Sequence, residues 1–334
     1  MKRILVTGAT GGLGRNAVEA LLRRGIDVRA TGRNTATGEA LSAMGAEFVA
    51  LDLATTNPEA LAALVQDVDA VWHCAALSSP WGRAADFTAA NVTATQQLLL
   101  AAGRADVARF VHISTPAIYF NFRAHLKIKE TFRPPTYVND YARTKAQAEA
   151  CVQDAVMAHR HMHCSILRPR AIFGPHDQVL LPRIARVLSQ RGGRLPLPHG
   201  GRVTLDLTYV GNVVHAMWLA TTARGLPSGS AFNITNQEPV LLRDVLTALF
   251  ADRLQRPFRI ASVPYPLMAA AARGLEVLAR VTHKEPALTA YSVGALAFDM
   301  TLDNTRAQQL LGYVPTVNLA AALDRTATWM RAHG

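Results

Sequence analysis

Arg3-Ile4-Leu5-Val6-Thr7-Gly8-Ala9-Thr10-Gly11-Gly12-Leu13-Gly14 decides the fold. Arg3 to Thr7 is a short apolar and β-branched run, the composition of a strand. It leads into glycines at every third position. From Leu13 to Arg24 the pattern turns helical, and Gly25 closes it. Strand, glycine turn and helix make a βα unit. The helix amino terminus offers free backbone N–H groups and the positive end of the dipole, which suits a pyrophosphate. The spacing is Gly-x-x-Gly-x-x-Gly rather than the commoner Gly-x-Gly-x-x-Gly. At the first βα turn it predicts nucleotide binding.

Moving outward, the alternation continues. Strands are predicted at Asp27–Thr31, Glu47–Leu51, Val68–Cys74, Arg109–Ser114 and Met162–Leu167. Helices are predicted at Gly38–Met44, Pro58–Val65 and Ala84–Gly103, the last containing Asn91. This rhythm implies an α/β fold with a doubly wound parallel sheet. Ligands then sit outside the carboxyl ends of the strands, where Gly11, Ala75 and Thr115 would lie. His73 is expected to be a packed strand-end histidine rather than a base. The second strand ends in Gly32-Arg33, without the Asp or Glu that would accept from the ribose hydroxyls of NAD. Arg15 follows the glycine turn directly. Two guanidinium groups suit a 2′-phosphate, so NADP is favoured, with NAD possible.

Asp140-Tyr141-Ala142-Arg143-Thr144-Lys145 begins an amphipathic segment running to about His159, predicted as a helix. Residues i and i+4 share a helix face, so Tyr141 and Lys145 can point into one site. A free phenol has a pKa of about 10, and a nearby ammonium lowers it. The pair is a proton-transfer device if a hydroxyl partner and a cofactor are at hand. Ser114 and Thr115 offer the hydroxyl, and either could serve. The basic loop Tyr119 to Val138 covers the substrate or forms plain surface.

Taken together, Thr7 to Gly14, Asp52-Leu53, His73-Cys74-Ala75-Ala76, Ser114-Thr115 and Tyr141-x-x-x-Lys145 resemble an extended short-chain dehydrogenase/reductase, of the NAD-dependent epimerase/dehydratase superfamily. Leu167 to Pro175, Leu180 to Arg183, Asp206 to Val210 and Phe232 to Asn236 resemble its 3β-hydroxysteroid dehydrogenase-like branch. The resemblance implies a Rossmann-type domain over 1–174. A smaller, mixed substrate lobe would span 175–334, with short returns to the main sheet near 203–210 and 231–235. It implies Tyr141 as general acid/base, Lys145 on the nicotinamide ribose and Thr115 on the reacting oxygen. Gly8, Gly11 and Gly14 would frame the pyrophosphate, with Thr10, Gly12, Leu13 and Arg15 beside them. Arg33, Asp52 and Leu53 would lie at the adenosine end, Ala75 and Ala76 near the central ribose, and Pro169 at the nicotinamide. Gly211 stands where relatives often carry Asp after Tyr-Val, which implies a looser substrate-side contact. The resemblance also implies a homodimer through the helices at Ala84–Gly103 and Tyr141–His159.

Composition narrows the rest. The chain has 334 residues, half of them hydrophobic, and a formal net charge of +11. Such a charge favours anionic partners, cofactor phosphates and acidic substrates among them. The arginines are scattered and no aromatic-rich basic groove is visible, so nucleic acid is not expected as a partner. Cys74, Cys151 and Cys164 lie far apart, which fits a reducing cytoplasm. The amino terminus enters a strand with no signal-peptide pattern, and no run is apolar enough for stable membrane insertion. His159, His161 and His163 straddle a helix-to-strand change, so no metal is expected. Pro266–Val281 reads as an amphipathic helix with Leu267, Met268, Ala271, Leu275, Leu278 and Val281 on its apolar side. That side packs on its own lobe, or serves as a lid or membrane-surface contact. The expected activity is interconversion of a hydroxyl and a keto group on a hydrophobic small molecule, sterol-like or a long-chain β-keto or hydroxy acid. The rivals are a nucleotide-sugar epimerase or dehydratase and a non-catalytic NADP-binding regulator.

Overall fold

The computed structural model describes residues 1–282 and 284–333. Seven parallel strands form the main sheet: β1 (Arg3–Thr7), β2 (Asp27–Gly32), β3 (Glu47–Ala50), β4 (Ala70–His73), β5 (Arg109–Ile113), β6 (His163–Pro169) and β7 (Ser230–Ile234). Their order is β7-β6-β5-β4-β1-β2-β3. The chain starts at β1, winds out to β3, then returns to β4 and winds the other way. The switch between β1 and β4 opens a crevice at their carboxyl ends, where Thr7 pairs with His73.

Alternate side chains leave each strand on opposite faces. Ile4, Val6, Trp72 and Val111 meet Ala17, Leu21, Val213 and Met217 on one face. Leu5, Val71 and Phe110 meet Leu61, Leu64, Leu98 and Val152 on the other. Both faces are covered, as a parallel sheet requires. The helices start where polar caps permit. Asn57 accepts from Ala60 N at 2.8 Å ahead of Pro58, and Asn139 accepts from Ala142 N at 2.8 Å. The second cap fixes the start of the Asp140–Ala158 helix, and so places Tyr141 in its first turn.

The long helix Ala84–Arg104 carries a π turn over Thr88–Thr93. The wider turn holds buried Asn91, whose amide accepts from Leu77 N at 2.7 Å and donates to Thr144 Oγ1 at 3.0 Å. The loop after β4 is thereby tied to the Tyr141 helix.

Three smaller sheets build the rest. Here the structure corrects the expected return near 203–210. Thr204–Leu205 joins a four-stranded sheet with Val240–Leu241, Met300–Leu302 and His125–Ile128, and Thr208–Tyr209 pairs with Ile172–Phe173. The reason is local. The Asp206 carboxylate accepts from Leu302 N at 2.7 Å, and the free edge of β6 is already taken by β7. The loop after Tyr119 is neither a cover nor plain surface over its first half. It contributes the strand His125–Ile128 and buries Tyr119, Phe120 and Ile128.

The helix Tyr265–Thr282 forms as expected, but another face packs. Met268, Ala269, Ala272 and Ala279 are buried, whereas Leu267, Val277, Leu278 and Val281 are between 56% and 75% exposed. Small side chains let the helix lie close to its neighbours, and the bulky ones are left outside.

Candidate active site

At the carboxyl edge of the sheet lies a cavity of about 430 Å³. Gly12 and Leu13 line one end, Cys74 and Ala76 the middle, and Ser114, Thr115, Tyr141, Lys145 and Pro169 the reacting end. The second wall comes from the 171–183 stretch and from Tyr291 and Ser292. The two sequence candidates from the helix and the two hydroxyls therefore share one space.

The glycine turn fits a pyrophosphate. Gly11 precedes the helix with no side-chain cap, which leaves first-turn N–H groups facing outward. Two of the glycines have a second cause. A side chain at Gly14 would drive into the Gly8 carbonyl, and one at Gly12 would lie 2.7 Å from His176 O. The strap 174–178 closes over the turn: Asn16 donates to Pro175 O at 2.8 Å, and Gln178 to Thr10 O at 3.3 Å. Gly8, at φ +62°, abuts Ala75 N.

Ala75 is held by a chain of polar contacts. Its N–H donates to Thr7 Oγ1 at 3.2 Å. Thr7 pairs with His73 Nδ1 at 2.7 Å, His73 Nε2 with Thr95 Oγ1 at 2.9 Å, and Thr95 donates to Asn91 O at 2.7 Å. His73 is fully buried here, and burial together with the Lys145 charge holds its pKa down to about 3. It is a packed, neutral imidazole.

Ser114 and Thr115 are told apart by their partners. Ser114 donates to Glu149 Oε1 at 2.5 Å. Glu149 in turn receives Arg168 at 2.7 and 2.5 Å in a buried bidentate pair. Thr115 Oγ1 accepts from Ala117 N at 3.1 Å. Its own hydroxyl hydrogen has no partner among the described residues, so it can donate into the cavity.

Lys145 is 2% exposed. Its ammonium donates to Ile113 O at 2.6 Å and to His112 Nε2 at 3.2 Å, which leaves one donor over. Burial lowers its pKa to about 8, against the opposing pull of Glu149 and Cys74. His112 is held neutral by burial and by Lys145, with Nδ1 buried and unpartnered. Tyr291 faces the same space. Burial and the neighbouring Tyr141 raise its pKa.

The remaining candidates sit apart from the cavity wall. Arg33 lies 3.7 Å from Asp52, and Arg15 Nε lies 3.3 Å from Glu19 Oε1. Neither guanidinium is the free group the sequence suggested, because each finds a carboxylate the strand pattern did not reveal. Leu53 turns its side chain into the core. Gly211 lies under the Tyr209 ring, where a side chain would come within 2.7 Å of it, so its lack of a carboxylate opens no cavity contact. His163 donates to Leu226 O at 2.5 Å while His161 lies 3.6 Å from Asp106. Among the described residues no cluster of His, Cys, Asp and Glu could hold a metal. No described helix is long and apolar enough to cross a membrane.

Against known proteins, residues 4–235 match the NAD dependent epimerase/dehydratase family. YbjS of Escherichia coli (strain K12), an uncharacterised protein, is 47% identical over 99% of this chain and 98% of its own length. A 4-hydroxy-2-methyl-3-oxo-4-farnesyl-3,4-dihydroquinoline-1-oxide ketoreductase of Stigmatella aurantiaca is 34% identical over 96% and 95%. A 2-alkyl-3-oxoalkanoate reductase of Stenotrophomonas maltophilia is 33% identical over 97% and 98%. A decarboxylating sterol-4-alpha-carboxylate 3-dehydrogenase of Candida albicans is 30% identical over 72% and 70%. Among solved structures, MoeE5 with UDP-glucuronic acid and NAD superposes at a TM-score of 0.78 with 23% identity, over 99% of both chains. That likeness shows the fold. The chain belongs to the NAD dependent epimerase/dehydratase family of extended short-chain dehydrogenases/reductases, on its 3β-hydroxysteroid dehydrogenase-like side, and is an NAD(P)-dependent enzyme of CH–OH groups.

Proposed function

We propose that the protein is an NADP-preferring reductase or dehydrogenase of a hydrophobic hydroxy or keto compound. The observation that carries this reading is the meeting of a Thr115 hydroxyl with its hydrogen free among the described residues, Tyr141 and a buried Lys145 in one cavity. A nicotinamide cofactor, when bound, supplies or takes up the hydride. Tyr141 moves the proton on the substrate oxygen. Thr115 donates to the same oxygen and stabilises its developing negative charge. Lys145, with its remaining donor, holds the ribose. Gly8, Gly11 and the free N–H groups of the first helix receive the pyrophosphate, and Pro169 borders the nicotinamide.

The substrate side is mostly apolar, with Ile172, Phe173, Val179, Leu180 and Val210 on the wall. That suits a sterol-like compound or a long-chain β-keto or hydroxy acid. The relatives' names point the same way: the oxoalkanoate and the sterol carboxylate are both acids oxygenated at carbon 3. NADP preference rests on Arg33, whose exposed side chain can leave Asp52 for a 2′-phosphate. Titration of the apo protein with NADPH and NADH tests it. Tighter NADPH binding, lost in Arg33→Ala, is expected; equal affinities would end the argument. A homodimer through the Ala84–Arg104 and Asp140–Ala158 helices belongs to the same reading, and each of the two helices carries an exposed apolar side chain, Leu100 and Met157.

The rival reading, a nucleotide-sugar epimerase or dehydratase, draws on the family itself. Cofactor that survives purification, with turnover in the absence of added NADP, would favour it. Screening of hydroxy-acid, sterol and nucleotide-sugar panels with both cofactors decides between the two.

A further inference from the structure

The helix Tyr265–Thr282 carries two apolar stripes, and only one of them is covered. Met268, Ala269, Ala272 and Ala279 are buried, with Met268 and Ala272 packed beside Val293. Leu267, Ala270, Ala271, Val277, Leu278 and Val281 make the second stripe. With Gly274 they recur at three- and four-residue intervals, the spacing of a core-facing helix face, yet every one is exposed. Bulky apolar side chains in one contiguous exposed row mark a contact surface, whereas single ones scattered over a protein mark nothing.

The charges of the helix are arranged about that row. Arg273 and Arg280, seven residues apart, lie exposed along one flank, and Lys284 is exposed just past the end. The one acid of the helix, Glu276, is turned to a neighbour: its carboxylate accepts from Ala290 N at 2.8 Å. The helix also borders the cavity. Ala290 begins the short helix that brings Tyr291 and Ser292 to the wall. Beyond the carboxyl end, Glu285 meets Arg183, another wall residue, at 3.1 Å. Val179 on the same wall is itself exposed.

We propose that this face rests on an anionic lipid surface, with the bulky stripe at the boundary of headgroups and acyl chains and Arg273, Arg280 and Lys284 among the phosphates. Charge decides the occupant. A second copy of the chain would bring the same cations to the seam, with no free carboxylate on this helix to meet them. A layer of phosphates answers each of them, and the net charge of +11 draws the whole molecule to it. The helix lies in the plane of the surface and does not cross it, since it is not apolar enough to span a bilayer. That the cavity draws a hydrophobic substrate from this surface rests on the oxidoreductase reading above; the contact itself does not.

The test is co-sedimentation of the full chain with vesicles of phosphatidylcholine alone, and of phosphatidylcholine and phosphatidylglycerol in equal parts. The wild type should bind the anionic vesicles much more tightly than the neutral ones, and less so as salt is raised. Arg273→Ala/Arg280→Ala should weaken anionic binding roughly 10- to 30-fold. Val277→Glu/Val281→Glu, in the middle of the stripe, should weaken it by at least about tenfold. These positions are exposed, so melting temperature and NADPH affinity should stay as in the wild type. Should the glutamates hinder folding, Val277→Ser/Val281→Ser serves in their place with the same direction of effect. No binding of the wild type to anionic vesicles at low salt would overturn the proposal. So would equal binding by the wild type and the glutamate variant, which would mean attraction by net charge alone. An oligomer that the glutamate variant dissociates, with no vesicle binding, would assign the face to a second copy and overturn it too. For delivery, the glutamate variant should lose turnover of a bilayer-held hydroxy acid and keep that of a soluble short-chain one. Failure of the wild type to turn over either acid would overturn the oxidoreductase reading, while sedimentation still decides the contact.

Discussion

Ser114 and Thr115 are adjacent hydroxyls, and their exchange for isosteric apolar groups should give opposite results. Ser114→Ala removes the 2.5 Å bond to Glu149 and leaves that buried carboxylate with Arg168 and, at 3.7 Å, Arg133. Loss of one charge-assisted hydrogen bond should cost about 1.5–3 kcal/mol of stability. Well below the melting temperature, kcat should stay within about threefold, a shift under about 1 kcal/mol in the barrier, because the Ser114 hydroxyl is turned to Glu149 and not to the reacting oxygen. Thr115→Val keeps the shape and loses the hydroxyl. Its structural cost is the Ala117 N–H left without an acceptor, worth roughly 1 kcal/mol. Its catalytic cost is far larger. Removal of one donor to a developing oxyanion lowers kcat by about 10²–10³, or about 3–4 kcal/mol. Thr115→Ser should retain most of the rate. The assays are NADPH consumption at saturating substrate, and urea unfolding followed by circular dichroism. The reasoning fails if Ser114→Ala is the variant that loses two orders of magnitude in kcat while Thr115→Val remains active.

Two further outcomes follow from the buried charges. Lys145 has its pKa lowered to about 8 by burial, whereas the unfolded chain titrates it near 10.4. Between these values the unfolded state binds more protons, so stability rises with pH across that window, by at most about 3 kcal/mol from this group. Buried Cys74, raised to about 12, acts in the other direction in both proteins. The difference between the wild-type and Lys145→Met unfolding profiles, measured from pH 7.5 to 10.5 by the principle of linkage, should therefore show the slope; parallel profiles would refute it. Arg168→Met, which leaves buried Glu149 with only the Ser114 hydroxyl and the more distant Arg133, should lose up to about 3–5 kcal/mol, with much of it recovered in Arg168→Met/Glu149→Met. Additive losses in the double variant, seen in urea melts, would show that the pair is not the cause.

The strands and helices of the main sheet were legible because each carries a local signature. Asn57-Pro58 starts a helix, Gly25 stops one, and the β-branched runs between them admit one assignment. Tyr141 and Lys145 were legible for the same reason, since helical spacing is local. Thr115 was not separable from Ser114, because the deciding group, Glu149, lies on another element and is chosen by tertiary packing. Tyr291, which lines the cavity, gave no signal at all. The pairing of 203–210 depended on which edges were free, and a two-residue strand does not encode that. The helix Tyr265–Thr282 was visible as a helix, but its packed face follows the stripe of small residues rather than the bulky ones. The π turn at Asn91 is likewise invisible, since one extra residue per turn leaves the apolar pattern almost unchanged.

The edge strand β7 and the helix Val210–Thr222 set a timetable for the nascent chain. Trp72 on β4 is fully buried and donates to Thr221 Oγ1 at 2.8 Å, and β6 finds its outer partner only in Ser230–Ile234. A ribosome that has finished β6 has released a sheet with one bare edge and one uncovered tryptophan. At roughly 5–20 residues per second that condition lasts several seconds. The amino-terminal half therefore waits for the middle of the chain before it can close, and a fragment ending near residue 174 would stay in that waiting state.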